Sequence, residues 1–151
     1  MAISQAMATS FKVEILDGVH NFGSGVIRAS TAADVFKIAL YTSSATLSAS
    51  TTAYTTSDEV SSSGTNYSAG GKTLTISQAP TFTGTTAWLD FDDITWASAT
   101  LTANGALIYN ETQGNKAVAV LAFGGDKTST AGNFTIQFPA AAASTAILRI
   151  A

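Results

Sequence analysis

Val35-Phe36-Lys37-Ile38-Ala39-Leu40-Tyr41 is the stretch that decides the fold class. Phe36, Ile38 and Leu40 fall on one face of an extended strand, and Lys37, Ala39 and Tyr41 on the other. The same period of two returns downstream. Residues 72–78 carry Leu74 and Ile76, and residues 86–91 set Ala87, Leu89 and Phe91 against Trp88 and Asp90. Residues 94–101, 106–110, 117–123, 133–138 and 146–150 continue the pattern, and upstream residues 11–16 alternate Phe11, Val13 and Ile15. About nine short strands without an amphipathic helix pattern predict an all-β fold, an antiparallel β-sandwich of jelly-roll-like arrangement.

The segments between the strands predict how they connect. Short polar loops join the last four runs, so sequential neighbours are expected to pair antiparallel. Asn104-Gly105 fits either a tight hairpin turn or a glycine bulge in one long strand over 99–109, and the bulge is favoured. Gly124-Gly125-Asp126-Lys127-Thr128 reads as a hairpin loop; it lacks the Gly-x4 lead of a phosphate loop. Residues 18–25 read as an irregular loop around Val19 and Phe22. Residues 42–71 form one long Ser/Thr-rich excursion. Leu47, Tyr54, Val60 and Tyr67 punctuate it, and one helical turn is expected near 53–59. No fixed-period repeat suggests a solenoid or propeller. The organisation expected is an N-terminal arm, residues 1–10, and a single β-sandwich domain, residues 11–151. Met7 offers an alternative start.

Composition narrows the function classes. A chain of 151 residues is long enough for one core without disulfides or metals. It has no cysteine, which removes a disulfide framework, a zinc–thiolate site and a catalytic thiol. Charged residues make up 11%, against roughly 25% in ordinary soluble domains, yet apolar residues reach 46%. Ser, Thr, Gly and Asn must therefore coat the surface. A neutral hydroxyl coat repels neighbours weakly and suits dense packing against copies of the chain or a larger shell; it also suits a secreted β-domain. The net charge is -3, and no two of Lys12, Arg28, Lys37, Lys72, Lys116, Lys127 and Arg149 are adjacent. Direct nucleic-acid binding needs grouped cations and is not expected. No apolar run approaches the ~20 residues of a membrane-spanning helix, and the start lacks the basic and apolar regions of a signal peptide.

Candidate chemistry is sparse. His20 is the only histidine, so a Ser-His-Asp triad would need it, with Asp17 or Asp34 to orient it. No Gly-x-Ser-x-Gly elbow exists, and Gly23-Ser24-Gly25 has the wrong spacing. The expected role of His20 is local packing or hydrogen bonding. Asp90, Asp92 and Asp93 form the only acidic cluster. On a strand Asp90 and Asp92 would share a face, as in a Ca²⁺ site or a glycosidase pair. The spaced ligands of a calcium loop are missing, and side chains two apart point the same way rather than flanking a bond. A solvated strand end or turn is the expected role. Trp88, Trp96 and the four tyrosines fit a carbohydrate platform, but more often such rings fill a core or an interface. Asn66, Asn110 and Asn133 match the Asn-x-Ser/Thr sequon, which a Ser/Thr-rich chain produces by chance. No catalytic, cofactor-binding or metal-ligating residue is assigned, and the chain is expected not to be an enzyme.

Several motifs occur in a recognisable order. Residues 36–42 precede the Ser/Thr-rich segment with Tyr54, Glu59-Val60 and Gly70-Gly71-Lys72-Thr73-Leu74. Then come Asp90-Phe91-Asp92-Asp93-Ile94-Thr95-Trp96 and Ala103-Asn104-Gly105-Ala106-Leu107-Ile108-Tyr109-Asn110. Residues 117–123, Gly125-Asp126-Lys127 and Phe134-Thr135-Ile136-Gln137-Phe138-Pro139 close the series. In order and spacing, residues 36–151 resemble a family of small bacteriophage virion structural proteins. Where such families often place Arg before the Gly-Ala, this chain has Asn104. The resemblance implies a virion component made in the host cytoplasm. The leading expectation is a capsid decoration or cement protein on the outer capsid surface. Its partners would be the major capsid protein and copies of itself in a symmetric homo-oligomer such as a trimer, with no direct nucleic acid and no membrane. Residues 1–10 and 42–71 are expected to make the inter-subunit contacts. A tail, collar or fibre component is the alternative, and a carbohydrate-binding module the second.

Overall fold

The structure is a computed structural model and describes residues 2–16, 18–23 and 33–151, without the side chains of residues 12, 13 and 16. The elements are β1 (Ala6–Met7), α1 (Thr9–Leu16), β2 (Phe36–Tyr41), β3 (Lys72–Thr73), β4 (Ile76–Thr83), β5 (Thr86–Phe91), β6 (Ile94–Asn110), β7 (Lys116–Ile136) and β8 (Leu148–Ile150). The fold is all-β, in two antiparallel sheets. The first has the order β1-β7-β6-β2-β3 and the second β4-β5-β8.

The long hairpin β6–β7 is the frame. It pairs Ile94 with Ile136 at one end and Asn110 with Lys116 at the other. The favoured long strand is present, but its glycine is not the bulged residue. β6 runs unbroken through Asn104-Gly105, and the register shifts between Ala103 and Gly105. The extra residues lie on β7, between Ala122, which pairs with Gly105, and Lys127, which pairs with Ala103. The expected hairpin loop at 124–128 is therefore part of β7. Gly124 and Gly125 supply its positive φ of 71° and 144°. A Cβ on Gly105 would lie 2.6 Å from the Leu121 carbonyl oxygen. That close approach explains the glycine opposite the bulge.

β2 pairs with β6 from Phe36–Asn110 to Tyr41–Gly105. Phe36, Ile38 and Leu40 pack in a core with Leu107, Ile108, Val118 and Val120. The other face is covered too, since Ala39 and Tyr41 are also buried. The 72–78 run divides: β3 stays with β2, and the chain then passes to β4 in the second sheet. Phe36 of the first sheet and Phe91 of the second stand 6.1 Å apart, centroid to centroid.

Three further expectations are corrected. Residues 11–16 form helix α1 rather than a strand. Phe11 and Ile15, which alternate with Val13 at period two, also satisfy the i, i+4 spacing of one helix face. A short apolar run is ambiguous between the two periods. Tertiary anchors decide here, for α1 delivers Glu14 to both Lys116 and His20. No helical turn forms over 53–59. Instead Glu59 N donates to Thr56 O at 3.3 Å around Asp58, whose φ is 61°. β8 pairs not with β7, its sequential neighbour, but with β5, through Leu89–Leu148 and Ala87–Ile150.

Residues 2–10, read from sequence as an arm, lie along their own chain. Ile3 bridges to Leu47, Ala6 and Met7 pair with Val120 and Ala119, and Ala8 is wholly buried. Met1, Asp17, Ser24, Gly25 and Arg28 lie outside the described residues.

Candidate functional site

The acidic cluster resolves into three separate structural roles. Asp90 sits at the end of β5, buried, and its Oδ1 accepts from the Phe91 amide at 2.9 Å. Burial pushes its carboxyl above the ordinary range; the Phe91 and Ile147 amides pull it down and Asp93 pushes it up. Although the Ile147 amide favours the charged form, Asp90 Oδ2 has no partner in normal hydrogen-bonding geometry. Asp92 and Asp93 form the exposed two-residue turn into β6. The Asp92 amide donates to Thr75 O at 2.9 Å, and Asp93 Oδ1 accepts from Phe138 N at 2.8 Å. The shared face expected of Asp90 and Asp92 is not formed, because the strand ends at Phe91. Among the described residues, no group of three or more acidic or histidine side chains is placed to hold a metal ion.

The two tryptophans do not make one platform. Trp96 is buried in β6 between Tyr67 and Phe134, with Lys72 Nζ 5.8 Å from its ring. Trp88 lies on β5 in the second sheet and is half-buried.

The four tyrosines instead gather around the excursion, two of them on one carboxylate, which the sequence reading missed. Glu59 Oε1 accepts from Tyr67 Oη at 2.6 Å and from the Gly70 amide at 2.7 Å, and Oε2 accepts from Tyr54 Oη at 2.7 Å. Tyr109 Oη donates to Gly70 O at 2.7 Å, and Tyr41 Oη to Thr55 O at 2.6 Å. The rings of Tyr54 and Tyr109 stack 4.8 Å apart. Burial, and for Tyr54 and Tyr67 donation to Glu59, pushes the phenols up; Tyr109 reaches about 12. Tyr67 Oη also accepts the Leu40 amide at 3.0 Å, and Val60 N donates to Leu40 O at 2.9 Å. The excursion thereby covers the edge of β2 beyond β3. The available signal was the spacing of Tyr54, Glu59 and Tyr67 in a segment with few other large side chains.

His20 lies in a second network. Its side chain is fully buried, with Phe11, Phe22 and Phe36 within 6.5 Å, centroid to centroid. Nε2 is 2.7 Å from Glu14 Oε2, and Nδ1 is 3.0 Å from Asn110 Nδ2. Asn110 also donates to Asp34 Oδ2 at 2.8 Å, and Gln113 Nε2 approaches Asp34 Oδ1 at 3.3 Å. Asp34 is linked to His20 through Asn110, and both ring nitrogens have hydrogen-bond partners. Among the described residues neither ring nitrogen faces a serine, and the triad considered from sequence is not assembled there. Asp17, the other proposed orienter, lies outside the described residues.

Two surfaces remain. The outer face of the hairpin carries paired hydroxyls: Thr95 with Thr135 and Thr102 with Thr128, both at 2.8 Å. Thr100 Oγ1 accepts from Ala131 N at 2.9 Å, and Asn104 donates to Asp126 at 2.8 Å. At the tip of the second sheet, strand register sets Phe82, Ala87 and Ile150 side by side. Phe82 is 75% exposed and Ile150 53%. An apolar row of this kind is the usual mark of a contact surface. Sequence patterning did not reveal it, because nothing in the sequence says where the core-facing side of the second sheet outruns the core.

No family model, curated protein or solved structure matches this chain.

Proposed function

We propose that the chain is a bacteriophage virion structural protein, specifically a capsid decoration or cement protein that binds the assembled shell. The observation that carries the reading is the exposed row Phe82–Ala87–Ile150 at one end of a weakly charged β surface. An aromatic anchor surrounded by neutral hydroxyls supplies apolar burial at the centre of an interface and little repulsion at its rim. Low charge also suits crowding among many copies, since neighbouring chains repel one another weakly. Residues 2–10 and 42–71, the contacts expected from sequence, are engaged with their own chain. The proposed contact surface is therefore the second-sheet tip, with the threonine face of β6–β7 beside other copies.

The mechanism is mass action. A protein that binds only the assembled shell stabilises that state by its binding free energy, repeated over many sites. Interfaces of roughly 800 Å² per partner suffice.

Quantitative mass spectrometry of particles purified from the source of the sequence tests the reading. A copy number comparable to that of the main shell subunit supports decoration. A few copies per particle moves the chain to the tail, collar or fibre, and absence overturns the virion reading. Phe82→Ser should weaken particle binding by about tenfold or more at unchanged melting temperature. Undiminished occupancy would remove the tip as the contact.

A further inference from the structure

His20 is the only histidine, and the geometry around it sets its protonation state. Asn110 is the key. Its Oδ1 accepts from the Gln113 amide at 3.1 Å, and its Nδ2 donates to Asp34 Oδ2. Flipping the amide would lose both bonds, so an N–H of Asn110 faces His20 Nδ1. Nδ1 must then be the acceptor. The proton sits on Nε2 and is donated to Glu14.

A second proton on Nδ1 would set N–H against N–H. Asn110 cannot turn to relieve it, because its other bonds fix it. A shift of the ring away from Asn110 would disturb its packing against Phe11, Phe22 and Phe36. The groups facing the ring among the described residues are Glu14 from α1, Asp34 from the segment before β2 and Lys116 from β7. Burial opposes charge on the ring, the two carboxylates favour it and Lys116 opposes it; the balance lies below the ordinary histidine range.

We infer that His20 is an acid-sensitive latch: its neutral ring ties α1 and residues 18–23 to Asn110 at the end of β6, and protonation of Nδ1 releases them. Glu14 remains bound to Lys116 at 3.0 Å, so the segment loosens at one end and the β6–β7 frame stays paired.

The sign follows from linkage. A histidine whose folded pKa is depressed adds nothing to the pH dependence above the unfolded value near 6.5. Below it the open form takes up a proton first, so the latch weakens as pH falls toward the folded value. Burial pushes the Glu14 carboxyl up, but His20 and Lys116 pull it further down, leaving it below its ordinary value and favouring its charged form.

The test uses the native chain, whose one histidine makes the resonances unambiguous. Long-range ¹H–¹⁵N spectra at pH 7.5 should show the neutral ring protonated on Nε2. A ring protonated on Nδ1, or already charged, overturns the proposal. Native-state hydrogen exchange, corrected for intrinsic rates, should show amides of residues 9–23 losing about tenfold or more in protection from pH 7.5 to 5.0. Amides of 94–136 should not change. Uniform loss, or none, overturns it, as does the same local loss in a folded His20→Gln variant.

Discussion

Residues 42–71 and the outer half of the β6–β7 hairpin both expose many Ser and Thr hydroxyls, yet they are ordered by different means. The hairpin is held by its backbone ladder, so its threonines are free to pair with one another on the surface. The excursion forms only isolated bridges at Leu47, Ala53 and Glu59. It is ordered by scattered backbone hydrogen bonds such as Tyr54 N to Asn115 O and Val60 N to Leu40 O, by Glu59 and the tyrosines, and by the close approach of Gly71 to β2. A shared hydroxyl surface thus goes with unequal sensitivity: single substitutions should disrupt the excursion and leave the hairpin face nearly unmoved.

The largest effect is expected at Gly71. Its φ is 72°, and a Cβ there would lie 1.8 Å from the Ile38 carbonyl oxygen. Gly71→Ala therefore combines left-handed strain with a backbone clash that pushes β3 off β2. Urea denaturation should show a loss of at least about 3 kcal/mol. A loss under about 1 kcal/mol would mean that the excursion can detach from β2 without consequence.

Alkaline titration examines the same region without a mutation. All four tyrosines of the chain, Tyr41, Tyr54, Tyr67 and Tyr109, belong to it. Burial raises each phenol above its ordinary value of 10.0. For an acid whose folded pKa is raised, the stability contribution is complete below the unfolded value and is lost as pH rises above it. Tyrosinate absorbance should therefore stay low past pH 10 and then rise in one step together with unfolding. Four independent titrations near pH 10 would break the comparison.

Glu59→Gln comes next. The carboxylate accepts three hydrogen bonds, and an amide retains one acceptor atom while placing a donor opposite a tyrosine hydroxyl or the Gly70 amide. Thermal and urea unfolding should show a loss of about 2 kcal/mol. A neutral outcome would shift the role of staple from Glu59 to the stacked rings of Tyr54 and Tyr109.

The hairpin and β2 were legible in the sequence because period two is a local signal and Asn104-Gly105 allows one strand to continue. Continuity of β7 was not, because Gly124-Gly125 has the same composition in a turn and in a bulge. The partner across the strand decides between them. Helix α1 was hidden for a related reason: Phe11 and Ile15 fit both periods, and Glu14 reveals its role only once Lys116, far along the chain, is beside it. At the candidate sites the turn role of Asp92 and Asp93 was readable, while His20, expected to bond locally, is tied to Asn110 far along the chain. The bonding of Tyr54 and Tyr67 to Glu59, with Tyr109 on Gly70 O beside it, was not readable, since it brings together distant segments.

The smallest effect is expected on the hairpin face. Thr102 and Thr128 sit directly opposite, and their hydroxyls meet at 2.8 Å on an exposed surface. Replacing both with valine keeps the branched shape that suits a strand and removes the pair together. Each lost hydroxyl bond trades against water, and neither leaves a buried partner unsatisfied. The single and double variants should each stay within about 0.5 kcal/mol of the parent in urea unfolding. A coupling energy above about 1 kcal/mol in that double-mutant cycle would mean that the ladder is a staple like Glu59. A near-zero coupling leaves the threonine face with little part in folding, and its uniformity must then be explained by what it meets outside the chain.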